Sequence, residues 1–235
     1  MRESACAFAE TTRVLRTLSF ISAMVSSVME TSAITLHPAI APEDQARAEF
    51  YAVLARLYAM APDAPILASI GASEPWADDG ARPLASSWNA LILASRAMDA
   101  EAADQEYTDL FIGVGRSEVD LHASHWIVEA TAERPLVGVR ADLARLGLGR
   151  QTGSTLYEDH LAALCETMRV LVAGAGDRPP AAPATQRAFF ERRIAPWVFD
   201  CCTAIQQSSV ANYYRRVAQL TSAFLAVERD SLAID

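Results

Sequence analysis

The sequence predicts an all-α fold, and three observations carry that prediction. From Ala41 onward apolar residues recur every three or four positions, which is the spacing of one helical face. No run alternates apolar and polar residues as a half-buried strand requires. Hydrophobic residues make up 51% of the 235 residues and charged residues 21%, enough apolar material for those faces to bury a core. No repeat of fixed period is present, and the elements read as a single domain of about nine to eleven helices.

Pro42, Glu43 and Asp44 make a good first turn, with Pro pre-set for helix and carboxylates at the positive end of the dipole. Phe50, Leu54, Leu57 and Tyr58 then fall on one face. Pro62-Asp63 ends that helix and caps a short one reaching Ile70, and Gly71 to Arg82 reads as loop. A helix carrying Trp88, Leu91 and Ile92 follows. The next has Ala103, Tyr107, Leu110 and Phe111 on one face and stops at Gly113-Val114-Gly115. Residues 113–123 read as a loop. Leu136, Val139, Leu143 and Leu146 form another stripe ending at Gly147, with a second loop over 149–154. Leu161, Leu164, Cys165, Met168, Leu171 and Val172 form the clearest stripe in the chain. Gly174–Ala184, rich in Gly and Pro, reads as a linker within the domain. Phe189, Phe190 and Ile194 begin a further helix, and Pro196 starts or kinks the one after it. Tyr213, Val217, Leu220 and Phe224 mark the last.

Residues 1–38 stand apart. Arg2, Arg13 and Arg16 precede a short apolar run, Leu18 to Val25, in the order of a signal peptide. Glu3 and Glu10 interrupt the basic region, and the run is too short to span a bilayer. The expectation is an N-terminal extension, disordered or a product of start-site choice, ahead of a folded domain over 39–235.

All 20 basic residues are Arg, none is Lys, and 29 acidic residues give a net charge of −9. That balance opposes nucleic-acid binding and fits a cationic partner. Cys6, Cys165, Cys201 and Cys202 show no paired spacing and read as small buried hydrophobes in a reducing compartment. His122 and His125 are three apart, but a lone H-x-x-H falls short of the three or four ligands a zinc site needs. The Glu-x-x-His pairs of a di-iron bundle are missing. Gly113-Val114-Gly115 follows a helix rather than a strand, and no P-loop lysine exists. No nucleophile motif is present, and Ser124 beside His125 is a neighbour pair in sequence only. The reading is therefore no enzyme, no metal and no cofactor.

Two features remain. Glu158-Asp159-His160 heads the strongest helix. Its carboxylates are either ordinary helix-dipole chemistry or an acidic patch for guanidinium groups of a partner, with His160 able to tune it. Tyr107, Leu110, Phe111, Trp126 and Ile127 are core residues singly; as a group beside a Gly-containing loop they would line a groove for an apolar peptide.

The middle of the chain also resembles a known family. Glu106-Tyr107-Thr108-Asp109-Leu110-Phe111-Ile112-Gly113-Val114-Gly115-Arg116 is similar to the E-Y-x-x-L-F-x-G-P-G segment of TorD/DmsD-like chaperones, the maturation proteins of molybdoenzymes. Ala123-Ser124-His125-Trp126, Arg134-Pro135-Leu136, Tyr157-Glu158-Asp159-His160-Leu161, Phe189-Phe190-Glu191, Pro196-Trp197 and Tyr213-Tyr214-Arg215 resemble its later segments, in the family's order. Val114, Tyr157 and His125 stand where that family commonly has Pro, Pro and Tyr.

The resemblance implies a TorD-like helical domain and a cytoplasmic, non-catalytic chaperone without stable membrane insertion. It implies binding to a molybdoenzyme precursor, of formate dehydrogenase or dimethyl sulfoxide/trimethylamine N-oxide reductase type, and to its twin-arginine leader until cofactor insertion. Asp159 and His160, then Glu158, are the candidate leader-binding residues. Tyr107, Leu110, Phe111 and Trp126 are groove or supporting core, and Asp109 is a weaker acidic candidate. A monomer and a dimer that exchanges halves across 174–184 are both compatible. The alternatives are another helical regulator or scaffold, or a helical-bundle metalloenzyme.

Overall fold

The computed structural model describes residues 40–78, 80–113, 115–127, 134–150 and 153–234; the expected extension over 1–38 lies outside them. The described residues form ten α-helices and one π-helical turn, with no strand. They are α1 (Pro42–Ala59), α2 (Ala64–Gly71), α3 (Pro83–Ala97), α4 (Ala100–Tyr107), the π turn (Thr108–Ile112), α5 (Ala123–Trp126), α6 (Pro135–Arg145), α7 (Leu161–Ala173), α8 (Pro183–Arg193), α9 (Val198–Gln207) and α10 (Tyr213–Leu232). The helix starts follow local chemistry. Pro sits in the first turn of α1, α2, α3, α6 and α8, where its missing N–H costs nothing. Asp63 and Asp99 cap α2 and α4 by accepting from Ile66 N–H at 3.0 Å and Ala102 N–H at 2.8 Å.

Two long seams organise the core. Helix α1 packs most extensively on α7, its Tyr51, Leu54 and Leu57 meeting the stripe of Leu161, Leu164, Cys165, Met168 and Leu171. Helix α10 packs on α3 and α9. The seams are joined by aromatics: Phe50 stacks on Phe224 at 5.0 Å, Tyr51 meets Phe224 edge-on at 4.9 Å, and the Tyr58 and Thr221 hydroxyls lie 3.0 Å apart. At one end of the join, buried Glu228 of α10 takes a fork from Arg47 of α1, Nε at 2.7 Å and Nη2 at 3.0 Å, plus the Tyr51 hydroxyl at 3.0 Å. Arg47 also reaches Gln186 of α8, so one guanidinium ties three helices.

The start of α10 is held from elsewhere in the chain. Asn212 makes no side-chain cap. Instead Glu106 of α4 accepts from the backbone N–H groups of Asn212 (2.8 Å), Tyr213 (3.0 Å) and Tyr214 (2.7 Å). These are donors that no helical carbonyl can serve, at the positive end of the dipole. Tyr214 and Tyr107 then donate to the Leu57 and Tyr58 carbonyls at the end of α1, at 2.9 and 3.1 Å.

Two elements differ from the sequence reading. The stripe from Ala103 to Phe111 is not one α-helix: its last turn is π-helical, closed by Gly113 N–H donating to Thr108 O at 2.7 Å. The wider turn buries Leu110 and sets Phe111 against Tyr107 and Tyr214 at 5.2 and 5.0 Å. Gly113 ends it at φ +65°, where a Cβ would sit 2.2 Å from the Arg116 carbonyl oxygen. The linker is also shorter than 174–184, because α8 begins at Pro183. It is tied down: Ala181 N–H donates to Leu171 O at 2.8 Å, and the Arg178 guanidinium donates to Leu146 O at 2.6 Å.

Removing the Glu106 carboxylate strands three helix-terminal donors. Glu106→Ala is expected to lower stability by about 2–4 kcal/mol in urea unfolding, and Glu106→Gln by roughly half that. An unchanged unfolding midpoint for Glu106→Ala would refute this anchoring role.

Candidate functional site

The candidate site lies where the chain between the π turn and α5 crosses the N-terminus of α7. Val119 N–H donates to Leu110 O at 2.9 Å, and Leu161 N–H donates to Leu121 O at 2.8 Å. Ala123 N–H donates to Asp159 O at 3.0 Å, and His122 and His160 form an isolated antiparallel bridge. A segment with few helical bonds of its own thus borrows partners from the head of α7.

Asp159 and His160 are the fasteners of this crossing. Asp159 is buried, and its Oδ2 accepts from both the hydroxyl (2.5 Å) and the N–H (3.2 Å) of Ser124, capping the one-turn helix α5 from outside. His160, also buried, is the N-cap of α7, its Nδ1 accepting from Ala162 N–H at 3.1 Å. The ring of His122 meets that of His160 edge-on at 4.9 Å. Burial drives the His160 pKa down to about 4, helped by the neighbouring His122 and opposed by Asp120 and Asp159. The cap works only with Nδ1 unprotonated, so the depressed pKa and the hydrogen bond agree.

The surface over this clamp carries two carboxylates. Asp120, its side chain about one-third exposed, accepts from the N–H of His122 and lies 2.8 Å from His122 Nδ1. Glu158 lies 3.1 Å from the Arg140 guanidinium of α6. Burial pushes the Glu158 carboxyl up, but the hydrogen bonds from Arg140 and from its own backbone N–H, with the charges of Arg140 and Arg150, outweigh it and hold it below the usual range. Beside them stand exposed Tyr157, 6.2 Å from the His122 ring, and half-buried Trp126, whose Nε1 donates to Asp120 O at 2.8 Å.

The predicted residues therefore divide. Tyr107 and Leu110 are core, Phe111 and Trp126 are half-buried supports, and Asp159 and His160 lie beneath the surface. The Glu158 side chain is largely covered, with a partner already in place. Asp109 is exposed on the π turn, accepting from Gln105 at 2.8 Å. Asp120, His122, Ser124, Tyr157 and Arg140 join the cluster without having been singled out as its members. His122 carried a signal, but the spacing paired it with His125. In the structure His122 faces Asp120 and His160, while His125 faces Trp126 at 5.4 Å. Among the described residues no group of three or more His, Cys, Asp or Glu is placed to hold a metal. Cys165, Cys201 and Cys202 are buried and unbridged, their thiol pKa values raised by burial, that of Cys202 to about 12.

An open cleft of about 550 Å³ lies between α3, α9 and α10 and another of about 260 Å³ between α6 and α8, and none of the predicted residues lines either.

The segments that build the crossing, Glu106 to Phe111, Ala123 to Trp126 and Tyr157 to Leu161, fall inside one matched region. The family model of the nitrate reductase delta subunit matches residues 77–203, more than half of the chain. The chain belongs to the nitrate reductase delta subunit family. Membership implies a maturation chaperone for molybdoenzyme assembly, in accord with the resemblance of the same segments. The region that defines the delta subunit family runs from just before α3 through most of α9, and α1 and α10 lie outside it. A comparison with curated proteins gives no match. No helix among the described residues is long and apolar enough to cross a membrane.

The His160 cap sets a pH dependence. Unfolded His160 takes a proton near pH 6.5, while the folded residue resists until about pH 4. Between those values the unfolded state binds more protons, so stability falls as pH falls, and above pH 6.5 the residue contributes no slope. Against a His160→Asn variant, whose amide caps without titrating, the wild-type advantage in urea unfolding is expected to shrink by about 2–3 kcal/mol from pH 7 to pH 4. A pH-independent difference would count against the buried neutral imidazole.

Proposed function

We propose that this chain is a cytoplasmic chaperone that holds the precursor of a molybdopterin-containing oxidoreductase by its twin-arginine leader until the cofactor is inserted. The client is a nitrate reductase, formate dehydrogenase or dimethyl sulfoxide/trimethylamine N-oxide reductase type of subunit. The observation that supports this reading is that the crossing held by Asp159 and His160 carries two carboxylates, Asp120 beside Trp126 and Glu158 next in the chain to exposed Tyr157.

A twin-arginine leader carries a basic pair followed by an apolar stretch. Guanidinium groups bind carboxylates through charge-assisted, potentially bidentate hydrogen bonds, and aromatic surface accepts the apolar stretch. Asp159 and His160 act on the leader through the clamp, by fixing where Asp120 and Glu158 stand. Retention needs no chemical step: occupancy of the leader alone withholds the precursor, the ratio of held to free precursor being the free chaperone concentration over Kd.

The test is a titration of the full chain with a synthetic leader peptide carrying an Arg-Arg pair and its apolar run, followed by fluorescence anisotropy. Wild-type protein is expected to bind it with an affinity that falls as salt rises. Glu158→Gln with Asp120→Asn is expected to weaken binding about tenfold, the equivalent of about 1.4 kcal/mol. Equal affinity for an Ala-Ala version of the peptide would overturn the reading.

A further inference from the structure

We propose that Arg140 is an internal competitor for the client's arginine: its guanidinium holds Glu158 in the empty chaperone and is exchanged for a client guanidinium on binding. This rests on the leader-binding reading above and deepens it. Three features of the Glu158–Arg140 pair separate it from the ion pairs that hold the fold.

The first is an imbalance of exposure. The Glu158 side chain is 13% exposed and that of Arg140 49%. A carboxylate so enclosed has lost most of its water, and leaving it without a cation is costly. The half-exposed guanidinium returns to water at little cost. The position therefore favours an arginine at all times but is indifferent to which chain supplies it.

The second is geometry. The contact joins Nη2 to Oε2 at 3.1 Å. Structural pairs in this chain are tighter: Arg47 grips Glu228 through Nε and Nη2, and Arg193 Nε donates to buried Asp142 at 2.6 Å. A client arginine approaching as a fork gains a bond that Arg140 does not make, which favours Arg over Lys in the client.

The third is redundancy in α6. Asp142, half a turn beyond Arg140, fastens that helix to Arg193 of α8, and Gly138 leaves the room this needs, since a Cβ there would lie 2.3 Å from Arg193 Nη1. The Leu146 carbonyl, at the end of α6, accepts from Arg178 at 2.6 Å. Helix α6 keeps its place when Arg140 lets go, so only a side chain moves. The field of Arg150 also reaches Glu158, so the carboxylate is never far from a cation during the exchange.

The experiment titrates wild-type, Arg140→Met, Glu158→Gln and the double variant with the Arg-Arg leader peptide and with its Ala-Ala version. Met keeps the apolar stem and removes the competing charge. Arg140→Met is expected to bind the Arg-Arg peptide about three- to tenfold more tightly than wild-type, with no change toward the Ala-Ala peptide. The gain is expected to vanish in the Glu158→Gln background, as coupling through one carboxylate requires. Equal or weaker binding by Arg140→Met, while wild-type still prefers Arg-Arg over Ala-Ala, overturns the exchange and leaves the leader reading standing. No preference in wild-type overturns the leader reading and the exchange with it. An Arg140→Met or Arg140→Gln protein that melts well below wild-type overturns the exchange too, because Arg140 is then a structural tie.

Discussion

Three backbone N–H groups at the head of α10 converge on one carboxylate, Glu106, more than a hundred residues earlier. The rest of the structure depends on that contact. It sets where the last helix begins, and α10 is the element on which α3, α9, α8 and α1 pack. It also sets the direction of α4, because the residue that caps α10 is followed by Tyr107, which hydrogen-bonds the end of α1. A single acidic side chain in the middle of the chain therefore aligns α1 with α10. A local cap at Asn212 would satisfy the same donors but would join nothing.

The candidate site is a consequence of this arrangement. With α4 fixed, the π turn delivers the chain past Leu110 into the crossing with α7, where Asp159 and His160 supply what a four-residue helix and an irregular strand-like segment lack. The same two residues that resemble the family's acidic motif thus also hold the crossing together. Asp120, Tyr157 and the largely covered Glu158 hold their positions because Asp159 and His160 are buried beside them in the chain crossing. The enclosed Glu158 carboxylate and its half-exposed partner then give the surface a place where one guanidinium can stand for another.

Much of the fold was legible in the sequence. The stripes at Phe50 to Tyr58, Leu161 to Val172 and Tyr213 to Phe224 became the core faces of α1, α7 and α10, because a 3.6-residue period states which side a helix buries without saying against what. The Pro start of α1 and the Asp63 cap were legible because their chemistry is confined to the first turn of a helix. The π turn was not, since its stripe keeps helical spacing and the widening answers to Tyr214, far along the chain. The head of α8 was not, since Ala and Gln in its first turns give no apolar stripe. Asp120, Ser124 and Arg140 were missed for a similar reason: each becomes a site residue only through a partner 2 to 35 positions away that no periodicity announces.

By itself the sequence determined the helices, their buried faces, the acidity of the whole and the ordered motifs that carry the family. Those properties follow from side-chain volume, backbone preference and short-range hydrogen bonds, which act between neighbours in the chain. The tertiary structure alone decided that Glu106 caps α10, that Asp159 and His160 face inward, and that Glu158 meets Arg140. Apart from the local His160 cap, each of those outcomes pairs a polar group with a partner brought close only by packing. Which carboxylates are buried fasteners and which stand at the surface depends on how the helices cross.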